Sequence, residues 1–258
     1  MAKSYHIGMN TLRIAAWSGP RNISTAMMRS WENRPDTIVS DEPLYAHYLK
    51  MTGLDHPGRD EVLTQHESNW EKVVDDLTGP CTYPIYYQKH MTHHLLANIK
   101  RDWLLKVTNI FLIRHPLEMM TSLIKTIPNP TIEETGLPQQ LELFKFVQKA
   151  TGKLPLVIQS KDILQQPEQM LRGLCTKLAI PFHEQMLSWP SGKRDSDGAW
   201  APHWYSSVES STSFAPWKPK DEELPPAFEN MCLKCIDIYE ELAVHKTSPE
   251  GKENAPNI

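Results

Sequence analysis

Short apolar runs, each closed by a turn or a charge, alternate along this chain with stretches of helical spacing. Residues 12–17 (LRIAAW) end at Ser18-Gly19-Pro20 and predict a buried strand meeting a turn. Residues 24–32 follow with Ala26, Met27 and Trp31 at helical spacing. A second β-branched run, 37–40, precedes Asp41-Glu42-Pro43. Residues 83–88 (YPIYYQ) predict a third strand and 92–100 a helix. The clearest buried strand is 108–113 (TNIFLI), which stops at Arg114-His115-Pro116 and leads into a helix over 118–126. Residues 156–159 (LVIQ) predict a fifth strand, and helices are expected over 167–178 and 227–244. Strands that are continuously apolar and alternate with helices imply an α/β fold: a central, mostly parallel sheet flanked by helices.

No internal repeat or linker divides the chain, so residues 10–246 are expected to form a single domain, with 247–258 a polar, disordered tail. The stretch 189–219 is rich in Ser, Pro, Gly and Trp without periodicity, and reads as a long loop packed over something. A length of 258 residues with 40% hydrophobic content is enough to close one core. The 22% charged content argues against wholesale disorder.

Net charge narrows the function classes. Twenty-seven basic against 31 acidic residues give −4, which disfavours bulk nucleic-acid binding but allows a local basic pocket for a small anion. No apolar run approaches the ~18 residues of a membrane span, and the first ten residues lack a signal-peptide core. The four cysteines are too few for a disulfide framework, so a cytoplasmic setting without membrane or nucleic-acid partners is expected. Cys232 and Cys235 form a lone CxxC within the last helix, with no second CxxC and no histidine pair nearby. That spacing favours ordinary helix cysteines over a metal site, and no metal is expected.

The candidate chemistry lies where strands end. A strand, then Pro20-Arg21-Asn22-Ile23-Ser24-Thr25, then a helix is the layout of an anion-binding turn, with backbone N–H groups, hydroxyls and a cation forming the cradle. It is not a Walker A loop, which needs a Lys directly before Ser/Thr. The same segment also reads as an ordinary strand–turn–helix capped by Ser24 or Thr25. Arg114 closes the 108–113 strand and Ser122 follows in the next helix, which suits a second phosphate at the carboxyl ends of the strands.

These segments together resemble the sulfotransferase family that uses 3′-phosphoadenosine 5′-phosphosulfate. Residues 20–25 are similar to its PRSGST or PKSGTT motif, with Asn22-Ile23 where many members have Ser-Gly. Arg114 and Ser122 match its second motif. Asp41-Glu42-Pro43-Leu44-Tyr45 resembles the Glu-Pro segment of carbohydrate sulfotransferases, and 160–168 with Leu178-Ala179-Ile180-Pro181 resembles the later "EDL…dP" and "LGIP" stretches. The resemblance covers residues 14–181 and implies a P-loop-like sulfotransferase architecture. It implies that Arg21 neutralises the charge developing on the leaving phosphate oxygen, that Ser24 and Thr25 hold the 5′-phosphosulfate, and that Arg114 and Ser122 hold the 3′-phosphate. Lys193 and Arg194, in a loop loosely like the family's late basic loop, would close over that phosphate. The donor is then a co-substrate used without metal, the acceptor a small molecule, and a homodimer is an open option.

Two groups compete as the base that deprotonates the acceptor. His90 ranks first within Lys89-His90-Met91-Thr92-His93-His94, because it falls just past the expected third strand. Its unperturbed pKa near 6.5 suits neutral pH. His93 and His94 are alternatives, or polar surface. Glu42 is the rival, raised by Asp41 and lowered by Arg21 and Arg29, a balance that leaves it the weaker base. Lys89 would assist the phosphosulfate or lie in solvent. Trp200, Trp204, Tyr205, Phe214 and Trp217 pin the late loop or line an acceptor pocket, pinning being the commoner use of such residues. A degenerate small-molecule kinase and a non-catalytic nucleotide-binding module remain as other classes.

Overall fold

The first strand, β1 (Leu12–Ser18), shows why a sheet must lie in the middle. Ile14 and Ala16 face one apolar cluster, Ala15 and Trp17 face another, and all four are buried. A strand wet on neither face needs cover on both. The computed structural model describes residues 11–219 and 223–248. Within them β2 (Thr37–Asp41), β3 (Ile85–Met91), β4 (Thr108–Ile113) and β5 (Leu156–Gln159) join β1 in the order β2-β3-β1-β4-β5, every pairing parallel. From β1 the chain goes out past β3 to β2, then crosses back over β1 to β4. The switch in direction therefore falls beside β1, where a crevice opens at the carboxyl ends of the strands.

Helix α1 (Ser24–Glu32) follows β1, and α2 (Tyr45–Thr52), α3 (Arg59–Gln65) and α4 (Trp70–Thr78) lie between β2 and β3. Next come α5 (Pro116–Leu123) and α6 (Leu137–Thr151), between β4 and β5. After β5 come α7 (Ser160–Gln165), α8 (Pro167–Lys177), α9 (Ala201–Trp204), α10 (Ser206–Glu209) and α11 (Glu229–Ala243). Met27, Trp31, Leu171 and Leu174 of α1 and α8 cover one face of the sheet. Leu77, Phe144, Val147 and Leu242 of α4, α6 and α11 cover the other.

The α/β reading holds, and β4 and β5 have the bounds the pattern predicts. Three local expectations need correction. β3 continues to Met91 instead of ending at Gln88. The helix expected over 92–100 is a single 3-10 turn, Thr92–His94. The Arg101 guanidinium takes the carbonyls of Leu95, Leu96 and Ile99 (3.2, 2.9 and 2.6 Å), the first two of which a helix over 92–100 would have paired internally. Thr247, assigned to the tail, is buried and donates its N–H to the Val157 carbonyl at 2.7 Å. Residues 249–258 and Asn10 lie outside the described residues. Helix α6 is not anticipated at all, although Gly136 before it, Pro138 in its first turn and Gly152 after it are boundary signals.

Side chains from distant segments hold the end of β1. Gln140 of α6 donates to the carbonyls of Trp17 and Leu112 (3.1 and 3.0 Å), and Thr92 donates to those of Ser18 and Gly136 (3.2 and 2.8 Å). Among the described residues no helix is long and apolar enough to cross a membrane, and no group of three His, Cys, Asp or Glu is placed to hold a metal ion.

Gly19 has no room for a side chain, because a Cβ there would press into the Thr135 carbonyl oxygen, a backbone atom that cannot swing aside. Gly19→Ala should therefore cost about 1–3 kcal/mol, read as a lower urea midpoint at unchanged m-value. An unchanged midpoint would show that the 133–136 turn yields freely.

Candidate active site

The crevice is a cavity of about 400 Å³. The 20–26 loop, Arg114 and Ser122 line one end of it, and Glu42, Tyr45, Lys89, His93 and His94 line the other.

At the first end the chain leaves β1 and turns into α1. The left-handed residue of this turn is Arg21 (φ 53°), while Ile23 sits at φ −69°. The position occupied by Gly in related loops therefore needs no glycine here. Asn22 braces the turn instead: its Nδ2 donates to the Leu112 carbonyl (2.8 Å) and its Oδ1 accepts from the Ile23 N–H (3.1 Å). The first-turn amides of α1 have no intrahelical acceptor and carry the positive end of the helix dipole, with the Ser24 and Thr25 hydroxyls beside them. Arg21 Nε donates to Ser122 Oγ (2.9 Å), and Arg114 Nη1 donates to the Arg21 carbonyl (2.5 Å). Arg114 Nε pairs with Glu118 (3.2 Å). Burial, and then the neighbouring Arg114, press the Arg21 pKa down from its ordinary value. Two guanidinium groups beside one carboxylate leave an uncompensated positive charge, which suits an anion.

The second end is built on Lys89. Its ammonium is 1% exposed and donates to Asp41 Oδ1 (2.7 Å), Glu42 Oε1 (2.5 Å) and the Tyr205 hydroxyl (2.7 Å). Tyr205 in turn donates to Asp41 Oδ2 (2.7 Å) and accepts from Trp200 Nε1 (3.1 Å). Burial opposes the charge on Lys89, but its anionic partners prevail and hold its pKa well above the ordinary value. Glu42, in the left-handed region at φ 39°, points its other oxygen towards His94 Nδ1 (3.8 Å). Burial raises the Glu42 pKa despite the pull of Lys89. The sequence expectation that Arg21 and Arg29 pull it down is corrected: Arg29 pairs with Asp197 (2.6 Å) and Glu32 (3.5 Å), and Arg21 with Ser122.

His90 does not reach the cavity wall. Because β3 runs on to Met91, the pleat puts Lys89 and Met91 on the cavity side and His90 on the opposite face. There it pairs in register with Trp17 and stacks on its ring, centroids 4.3 Å apart. Burial, and then the charge of Lys89, take its pKa down to about 3. His94 does face the cavity, stacked on Tyr45, and its buried Nδ1 has no hydrogen-bond partner.

Lys193 and Arg194 are also displaced from the expected place. The Arg29–Asp197 pair and the Ser196–Glu32 hydrogen bond tie their segment to α1, and neither residue lines the cavity. Further along, Trp200, Trp204, Tyr205 and Phe214 do line it, while three of them are also buried. They form the wall as well as pin the loop. Tyr45, the last residue of the Glu-Pro segment, lines the cavity too, and His56, whose Nδ1 lies 2.8 Å from the Tyr45 hydroxyl, is a lining residue that no sequence motif marked.

Residues 12–236 match the family described as "Sulfotransferase domain". This chain belongs to the sulfotransferase family. Among curated proteins it is 39% identical over 233 residues to "Branched-chain-amino-acid aminotransferase-like protein 1" of Arabidopsis thaliana, and 35% identical to "Branched-chain-amino-acid aminotransferase-like protein 2" of the same organism. The matches cover 90% of this chain but only 42% and 41% of those proteins, so the sulfotransferase chain spans well under half their length. Among solved structures, the "Sulfotransferase Domain from the Synechococcus PCC 7002 Olefin Synthase" superposes with a TM-score of 0.57 at 16% identity, covering 94% of this chain and 98% of that one. That likeness shares the fold.

The buried imidazoles predict acid sensitivity of this sulfotransferase. His90 and His93 are held near about 3, and His94 well below its ordinary value, burial leading in each case. Unfolded, all would titrate near pH 6.5. Below that pH the unfolded chain binds protons that the native state refuses, so stability is present above it and falls on acidification, by up to about 1.4 kcal/mol per pH unit per histidine. Urea unfolding at pH 7 and pH 5 should show this loss, and His90→Gln should lessen it. A midpoint independent of pH over that range would contradict the buried, neutral assignment.

Proposed function

We propose that this sulfotransferase moves a sulfonate group from 3′-phosphoadenosine 5′-phosphosulfate to a hydroxyl or amine of a small-molecule acceptor. The observation that carries the reading is the convergence of Arg21, Arg114, Ser122 and the α1 N-terminus on one end of a cavity whose other end holds Glu42. Pro20 to Thr25 cradle the 5′-phosphosulfate, through backbone amides and the hydroxyls of Ser24 and Thr25. Arg114 and Ser122 receive the 3′-phosphate, a planar fork matching its oxygens.

The transfer is an in-line displacement, governed by positioning and charge. The acceptor oxygen forms the new S–O bond as the sulfur's bond to the 5′-phosphate oxygen breaks, and that bond pair leaves with the phosphate. Arg21 meets the charge that develops there. The acceptor proton passes to Glu42, which lines the cavity and whose basicity burial raises, whereas His90 lies behind the sheet. The aminotransferase-like name of the Arabidopsis proteins describes much longer chains and adds no acceptor to this reading.

Donor selectivity tests the reading first. Adenosine 3′,5′-bisphosphate should raise the melting temperature far more than AMP or ATP, with about 2.7 kcal/mol of stabilisation at 100-fold over its dissociation constant. Equal shifts for AMP and the bisphosphate would sink the donor assignment. Given a labelled donor and an acceptor found by screening, Arg21→Ala should lower the single-turnover rate constant more than it weakens donor binding, with Arg21→Lys recovering part of the rate. A variant that binds poorly yet turns over normally at saturation would reassign Arg21 to ground-state binding.

Base assignment has its own pH test. Because the Glu42 pKa is raised, the active carboxylate is lost as pH falls through a value above the ordinary ~4.3 of glutamate. The rate should show an acid limb there, and Glu42→Gln should abolish turnover with bisphosphate binding intact. A wild-type profile in Glu42→Gln would return the role to a histidine.

A further inference from the structure

We propose that Trp217 is a positioning residue that sets selectivity for the donor's 3′-phosphate by holding Glu118 and, through it, Arg114. The inference rests on the donor reading above. Trp217 lies outside the cavity lining, yet its Nε1 donates to Glu118 Oε1 at 3.2 Å. The other oxygen, Oε2, takes Arg114 Nε at 3.2 Å. An ionised carboxylate only accepts, so one fixed donor on each oxygen locks its plane. Arg114 is then clamped at two points, Nε on Glu118 and Nη1 on the Arg21 carbonyl. Nη2 is left without a hydrogen-bond partner among the described residues.

The indole is itself anchored. Its backbone N–H donates to the Leu164 carbonyl at 3.4 Å, and Lys161 Nζ lies 4.2 Å from the ring centroid. Leu164, Phe214 and Ala215 line the cavity, so Trp217 couples this wall to the arginine. Bidentate recognition of a phosphate depends on the orientation of the guanidinium plane. Loss of the indole N–H frees one oxygen of Glu118 and lets that plane tilt. The cost falls on the 3′-phosphate alone, because the 5′ group is held by the α1 turn.

Calorimetric titration of adenosine 3′,5′-bisphosphate and of AMP into wild type, Trp217→Phe, Glu118→Gln and the double variant tests this. Phenylalanine keeps a ring under Lys161 and removes only the donor. Trp217→Phe should weaken the bisphosphate by about five- to tenfold, the scale of one ordinary hydrogen bond felt through Arg114, and leave AMP unchanged. Glu118→Gln should do the same, and the double variant should be no worse than Glu118→Gln alone, as expected for residues acting in series. A Trp217→Phe variant that keeps the wild-type preference overturns the proposal, as does one that loses both ligands equally or adds its effect to that of Glu118→Gln. If Trp217→Phe does not fold, Glu118→Gln carries the test, and an unchanged preference in it is equally fatal. Absence of any bisphosphate preference in the wild type would instead bring down the donor reading, and this proposal with it.

Discussion

The site is organised around one buried ammonium. Desolvating Lys89 costs several kcal/mol unless its hydrogen bonds and charge are met. They are met by Asp41 and Glu42 from the end of β2 and by Tyr205 from the late loop. Three segments far apart in sequence must therefore meet at the tip of β3. The same constraint explains why Glu42 tolerates a left-handed backbone, a conformation of modest cost that persists where surrounding contacts over-determine it. It also draws Trp200 and Tyr205 over the crevice, with the Gly198 N–H on Asp41 (3.3 Å) fixing the start of that aromatic wall.

The two ends of the cavity then differ in electrostatic character for reasons visible in their pairings. At the α1 end, two arginines lie beside a helix N-terminus and only Arg114 has a carboxylate partner, Glu118. At the Lys89 end, two carboxylates share one lysine, and the nearby imidazoles are kept neutral by burial. The cavity therefore carries excess positive charge at one end and carboxylates at the other, a separation that neither half supplies alone.

Two positions show how the chain departs from its family's glycine pattern without losing the geometry. At the α1 turn the positive φ is carried by Arg21, and Asn22 ties the turn to β4, so Ile23 remains in an ordinary conformation. After α8, Ala179 stands where the family pattern has glycine and adopts φ 55°. Ala179 takes up the strain that a glycine would avoid, while its N–H and that of Ile180 return to the carbonyls of Thr176 and Cys175 (both 3.0 Å).

The sequence by itself determined the layered fold and the residues that gather at the α1 end of the cavity. Runs such as TNIFLI are too continuously apolar to be wet on either face, and a cation or hydroxyl just past such a strand falls at the carboxyl edge of a parallel sheet. That reasoning brought Arg21, Ser24, Thr25, Arg114 and Ser122 to one place. Tertiary structure decided the Lys89 end. Extending β3 by three residues moves His90 behind the sheet and Lys89 to the front, because side chains alternate with a period of two, and composition does not announce where a strand stops. Lys89 finds Glu42 and Tyr205 47 and 116 residues away, Arg29 finds Asp197 168 residues away, and Glu118 finds the Trp217 indole 99 residues away. Such pairings follow from which buried charges the fold brings within reach of each other, and local pattern carries no record of that.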